Sequence, residues 1–280
     1  MRRIVAATDF SERSRRAVRR AAMLARASGA HLMVLHVADD DREARVVEAE
    51  VAAARAALDA MKEWLPETPC EARVELGDPF DGIVRTARDC AADLIVMGTH
   101  RRQLLRDIFV GTSIERVTRA RVAPVLMVNA EPAAPYRRAL LGVDLSQHSA
   151  QALRFARESG ILGNAELALA HAFDAVAKGK LNFAGVERAK VAEYVGEVES
   201  QARADLEAFV AAHPGQPAPV AMRVAEGHPA TVLAAVSRAI DADLVIVATH
   251  GLSSIARLLL GSVTEALMRD LDRDVLAVPP

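Results

Sequence analysis

Aromatic side chains are scarce in this chain of 280 residues: one Trp, two Tyr and seven Phe, 4% in all. Large rings cannot fill the interior, so alanine, valine and leucine must do so. No aromatics interleave with the basic residues either, which removes the usual base-stacking surface of a single-strand nucleic-acid binder. The formal net charge is −2, so there is no global attraction to nucleic acid or to an anionic membrane. The two cysteines, Cys70 and Cys90, show neither CxxC nor zinc-ligand spacing, which fits a reducing compartment such as the cytoplasm. No apolar run reaches the ~18 residues that a membrane-spanning helix needs, so none is expected. The opening MRRIVAATDF faintly resembles a secretory leader, but Asp9, Glu12 and several arginines interrupt it. It reads better as a first buried strand.

What is present is ordinary globular composition, 51% hydrophobic and 26% charged. At roughly 100–200 residues per domain, the length suggests two domains. Arg13, Arg15, Arg16, Arg19 and Arg20 lie in a helix-like stretch and read as a solvated face.

The organisation emerges from an internal repeat. ATDFSERS aligns with VDLSQHS: Asp144, Ser146 and Ser149 follow Asp9, Ser11 and Ser14 by 135 positions. His171 follows His36 by the same interval. Further on the offset becomes 150 and stays there, pairing Gly77 with Gly227, DLIVMGTH with DLVIVATH, VGTSIERV with LGSVTEAL, and VLMV with VLAV. One net insertion of 15 residues therefore lies between Asp174 and Ala225. It surrounds Lys178 to Arg188 and carries Lys178, Lys180, Arg188 and Lys190; it reads as a surface loop, a flap or a partner surface.

Each copy alternates short apolar runs with amphipathic stretches. Ile4 to Ala7, His31 to Val37, Ala72 to Leu76, Leu94 to Gly98 and Val125 to Val128 are the strands expected of the first copy. Ala139 to Val143, Leu167 to Ala172, Val220 to Ala225, Leu244 to Ala248 and Val275 to Val278 are those of the second. Ser11 and Ser146 stand as helix N-caps, and Pro79 and Pro229 as first-turn residues. A helix carries Val47, Val51, Leu58, Met61 and Leu65 on one face. Helices from Thr112 and Ser262 precede the last strands. The linker AEPAAPY divides the chain into domains 1–130 and 137–280. Alternating strands and helices imply an α/β fold with a doubly wound, five-stranded parallel sheet in each domain. Ligands in such sheets bind beyond the carboxyl ends of the strands.

Those ends hold Asp9 and Asp144, then GTHRRQLLRDIFVGTS and ATHGLSSIARLLLGSV. Gly111-Thr112 and Gly261-Ser262 sit where a helix begins. A helix start offers bare amides and the positive end of a dipole, which suit phosphate. The plainer alternative is a glycine turn followed by an ordinary hydroxyl cap. His36, His100, His171 and His250 also fall at strand ends. Local hydrogen bonds account for them, and a metal site from His36 and His100 lacks a completing ligand. No Walker A lysine, GxSxG elbow, HExxH or general acid–base pair is present, so no catalytic residue is assigned.

The pattern Gly-x2-Gly-x9-Gly-(Ser/Thr) after a strand resembles the nucleotide-binding signature of the universal stress protein family. The aspartates in ATDFS and GVDLS, and the strand ends LHV and AHA, resemble that family's first and second strands. The resemblance spans nearly the whole chain in two copies. It implies an adenine nucleotide alpha hydrolase-like fold whose two domains pair through their last strands as an internal pseudo-dimer, with further homodimer formation left open. It also implies a stress-response role with ATP, with or without Mg, as a non-covalent ligand. Neither signature is intact. The first has Gly98, Arg101 in place of the second glycine, and Gly111-Thr112. The second has Ala248 in place of the first glycine, then Gly251 and Gly261-Ser262. One extra methyl at Ala248 is a smaller departure than a whole arginine, although Arg101 or Arg102 could fold onto a phosphate. The second copy is thus the better candidate. By resemblance, Asp144 lies by the adenosine, the Ala172 backbone meets the adenine, and Ala248, Gly251, Gly261, Ser262 and Val263 line the ribose and phosphates. Asp9, Val37, Gly98, Gly111, Thr112 and Ser113 match in the first copy. Three functions stay open: a nucleotide-binding regulator, a nucleotide-free scaffold for unidentified protein partners, and a slow ATPase.

Overall fold

Aliphatic runs bounded by polar turns become ten strands of one sheet in the computed structural model, which describes residues 1–63, 65, 68–99, 112–249 and 260–280. The first half contributes β1 (Arg3–Ala7), β2 (His31–Ala38), β3 (Cys70–Leu76), β4 (Leu94–Gly98) and β5 (Val125–Val128). The second contributes β6 (Arg138–Gly142), β7 (Glu166–Phe173), β8 (Ala221–Glu226), β9 (Leu244–Ala248) and β10 (Asp274–Val278). Their order is β3-β2-β1-β4-β5-β10-β9-β6-β7-β8. Neighbours within each half are parallel, and β5 meets β10 antiparallel. The fold is the expected one: two doubly wound α/β units, joined through their last strands.

The central strands carry the core because helices cover both faces. Leu94, Ile95 and Val96 of β4 and Leu244, Val245 and Ile246 of β9 are fully buried. Each such side chain stabilises the fold by about 1.5–3 kcal/mol relative to exposure. On one face lie α1 (Glu12–Ser28), α2 (Ala44–Glu63), α5 (Gln147–Glu158) and α7 (Arg188–Ala212). On the other lie α3 (Pro79–Asp89), α4 (Ser113–Arg119), α8 (Pro229–Ala239) and α9 (Ser262–Asp270).

Ser11 and Ser146 cap α1 and α5 as their sequence positions suggest, accepting from Ser14 N at 3.3 Å and Ser149 N at 3.2 Å. The α2 stripe is buried only towards its end, at Ala54, Leu58 and Met61, with Leu65 beyond the helix. Val47 and Val51 are half-buried, because α2 covers β3, the half-open edge of the sheet. The insertion is not a plain loop. It forms a short extra helix, α6 (Lys178–Phe183), and α7 has 25 residues against 20 in α2.

The solvated arginine face needs correction. Arg20 is only 5% exposed, turned into the junction between the halves over the Tyr136 ring. Fixed at one end of the seam, it is a structural cation.

Candidate functional site

The chain leaves β1 on one side to form β2 and β3, then returns to the other side for β4 and β5. The strand order therefore reverses between β1 and β4, and again between β6 and β9. Crevices at such reversals, beyond the carboxyl ends of the strands, are where doubly wound sheets hold ligands. Asp9 and Gly98 flank the first reversal; Asp144 and Ala248 flank the second. Val37 and Ala172 lie near the ends of the adjoining strands β2 and β7. Gly111, Gly251, Arg101, Arg102, His100 and His250 lie outside the described residues.

Each aspartate opens a tight turn. The next residue, Phe10 or Leu145, has φ of 62° or 64°, a left-handed conformation that side chains other than glycine rarely adopt. The turn is held by the aspartate itself: Asp9 Oδ1 accepts from Ser11 N at 3.0 Å, and Asp144 Oδ1 from Ser146 N at 3.1 Å. Partial burial pushes the Asp9 carboxyl up, but the Ser11 and Ser14 hydrogen bonds outweigh it and hold the group below its ordinary value. The halves then diverge. In the first, the Ser14 hydroxyl lies 3.1 Å from the Thr8 hydroxyl. In the second, Val143 stands in place of Thr8 and offers no hydroxyl, and the Ser149 hydroxyl donates to Asp144 Oδ1 at 2.5 Å, joined there by the Ser146 hydroxyl at 2.5 Å. Asp144 is thus gripped by two hydroxyls.

The strand-end histidines have local work. Nδ1 of His36 lies 2.8 Å from Thr8 O, and Nδ1 of His171 lies 2.8 Å from Val143 O. Each ring clips β2 or β7 to the end of the neighbouring first strand. No group of three metal-ligating side chains occurs among the described residues.

The small residues at the crevices serve packing as well as access. A β-carbon on Gly98 would stand 2.6 Å from Arg13 O, so the missing side chain admits the first turn of α1. A β-carbon on Gly82 would stand 2.7 Å from the Val37 methyls. In the second half the sizes are exchanged: Ala172 takes the place of Val37 and Val232 that of Gly82. The second copy therefore has the smaller side chain at the strand end.

The helix starts differ most. Thr112 N-caps α4 with a full capping box: its hydroxyl accepts from Glu115 N at 3.3 Å, and its amide donates to Glu115 Oε2 at 3.0 Å. Ser113 is the first helical residue and half-buried. In the second half the cap moves to Gly261, and no side chain among the described residues caps α9. The Gly261 amide donates to Thr249 O at 2.9 Å, and the Thr264 hydroxyl to Ala248 O at 3.0 Å, which moor the helix to the end of β9. Ser262 is the first helical residue, and it is exposed, with Val263 half-buried beside it.

A family model described as the universal stress protein family matches residues 1–129 and again 135–279. The chain belongs to the universal stress protein family. Its two matched segments make it a tandem member, as the motif resemblance implies. A universal stress protein from Archaeoglobus fulgidus DSM 4304 is 18% identical, with a TM-score of 0.73, covering 99% of this chain and 98% of that one. A functionally unknown protein from Pseudomonas aeruginosa PAO1 is 17% identical, with a TM-score of 0.67, covering 100% and 93%. A protein from Pseudomonas aeruginosa UCBPP-PA14, described as a universal stress protein, is 16% identical with a TM-score of 0.63, covering 100% and 94%. These likenesses bear on the fold. No curated protein matches the chain.

Besides Arg20, sequence reasoning missed a buried acid in this universal stress protein. Asp274 is fully buried at the start of β10. It accepts from Asn129 N at 2.9 Å, Ala130 N at 3.0 Å and the Tyr136 hydroxyl at 2.6 Å. Burial drives its carboxyl above the ordinary value against the pull of Tyr136, Ala130, Arg20 and Asn129. Its sequence signal was the last acid of the run RDLDRD, directly before an apolar strand and opposite a proline in the other copy.

Proposed function

We propose that the chain is a cytoplasmic stress-response regulator of two domains, residues 1–130 and 137–280, that binds ATP or a related adenine nucleotide in the second. The observation carrying this is the contrast between helix starts. Thr112 and Glu115 close the start of α4 with its own side chains, whereas α9 opens on Gly261 with no side-chain cap among the described residues. The amides of Ser262 and Val263 in this first turn, with the exposed Ser262 hydroxyl, suit a phosphate group. A Mg ion would accompany the phosphates as their counter-charge, not as a resident metal. Asp144, fixed by Ser146 and Ser149, suits a ribose hydroxyl, and the short side chain of Ala172 leaves room for the base. No residue is given a catalytic role.

The test is direct. Purified protein is denatured and the supernatant chromatographed for adenine nucleotides, and ATP binding is then measured by equilibrium dialysis. Ser262→Ala should weaken binding, while Thr112→Ala should leave it unchanged. Absence of binding at millimolar ATP, or equal losses in both variants, would favour the nucleotide-free scaffold.

A further inference from the structure

The seam between the halves has a pseudo-twofold axis. Leu126 and Leu276, counterparts at an offset of 150, pair directly with each other. On either side Val125 faces Ala277, and Met127 faces Val275. Packing at the axis is nearly symmetric, but the polar chemistry at its two ends is not. At one end the buried Asp274 takes the Asn129 and Ala130 amides of the first half and lies 3.5 Å from Arg20 Nε. At the other end Pro124 is the counterpart of Asp274, and Pro279 and Pro280 are those of Asn129 and Ala130. Proline has no amide hydrogen to donate. The counterpart of Arg20 is Phe155.

We propose that Asp274 selects the partner of β10, committing that strand to a β5 edge and disfavouring β10–β10 and β5–β5 pairing between chains. In a β10–β10 pair each Asp274 would meet Pro279, Pro280 and Phe155 of the other copy. A buried carboxylate would lose two amide donors and its guanidinium, and an uncompensated buried charge is strongly destabilising. In a β5–β5 pair Arg20 would be buried without a carboxylate, and Asn129 would face Pro124. The surface thus fits one kind of partner: a first-half β5 edge, from the same chain or from a second copy. Tyr136, the last residue of the linker, lies just before β6 and stays tethered to the half that carries Asp274, so its hydrogen bond would survive like pairing and confers no choice.

The full chain is unfolded in denaturant, refolded at a series of concentrations, and sized by chromatography with light scattering. Wild type should return at every concentration to the species present before unfolding. Asp274→Pro, which copies Pro124, should add intermolecular species that grow with concentration. Asp274→Asn, which keeps the volume and removes the charge, should add them to a smaller extent. Tyr136→Phe should melt at lower temperature yet refold as wild type does. The proposal is overturned if the Asp274→Asn protein refolds as wild type, or if Tyr136→Phe produces the same additional species.

Discussion

The Tyr136 hydroxyl donates a 2.6 Å hydrogen bond to Asp274 Oδ2, closing a buried polar cluster where the linker meets the last strand of the chain. Burial pushes the tyrosine well above its ordinary value, so it stays a donor throughout the accessible pH range. Tyr136→Phe removes that donor and leaves a charged acceptor short of a partner. Hydrogen bonds to charged groups contribute about 1.5–3 kcal/mol, so denaturant unfolding should show a loss of that size with an unchanged m-value.

Gly98 and Ala248 occupy equivalent strand ends under different constraints. A methyl group at Gly98 would sit 2.6 Å from the Arg13 carbonyl oxygen, and backbone cannot yield as a side chain can. Gly98→Ala should therefore destabilise by about 1–3 kcal/mol, the usual cost of overpacking. Thermal melts should show the drop. An unchanged melting temperature would mean that α1 is free to move off β4.

Loss of a cap should separate the two helix starts. Thr112→Ala removes the α4 capping box and should cost about 1 kcal/mol. Ser262→Ala removes an exposed hydroxyl that lies inside the helix and not at its N-cap, and its stability cost should be within about 0.5 kcal/mol. Equal costs, read from paired denaturation curves, would contradict the asymmetry.

Acid sensitivity follows from the carboxylates. Burial raises Asp93, but the amides of Arg2 and Arg3 outweigh it and leave it lowered, as Ser11 and Ser14 do for Asp9. A carboxyl lowered in the folded state contributes stability above its unfolded value and loses it as pH falls through the folded one. Stability should thus decline once the pH drops below about 4, the ordinary carboxylate range. Asp93→Asn should make that decline shallower in urea titrations across pH. Asp274 works in the opposite sense: raised by burial, it favours the folded state as pH falls through the window just above the ordinary carboxylate value.

The strands and the repeat were legible in the sequence because buried parallel strands are short unbroken apolar runs, and Leu94–Gly98 and Leu244–Ala248 match their expected limits. Other strands extend by a residue, as at Arg3 and Glu166, where a polar residue begins the hydrogen-bond ladder without entering the core. The resemblance carried the family and the seam. Arg20 and Asp274 were not legible. A buried ion pair looks like two ordinary charges until the fold brings together segments more than 250 positions apart. The capping box at Thr112 was half legible: the hydroxyl stood in the right place, but the sequence could not say that Ser262, with Glu265 at the same spacing, would shift one residue into its helix.

The most direct measurement is the melting temperature of the wild-type chain and of Gly261→Val, each with and without saturating Mg-ATP. Gly261 has ordinary backbone angles, φ −59° and ψ 138°, so valine keeps the cap while crowding the space before the Ser262 and Val263 amides. A ligand at about 100 times its Kd stabilises the native state by about 2.7 kcal/mol, enough for a shift of several degrees. The account predicts that shift in the wild type and its loss in the variant. A shift of equal size in both proteins would contradict it.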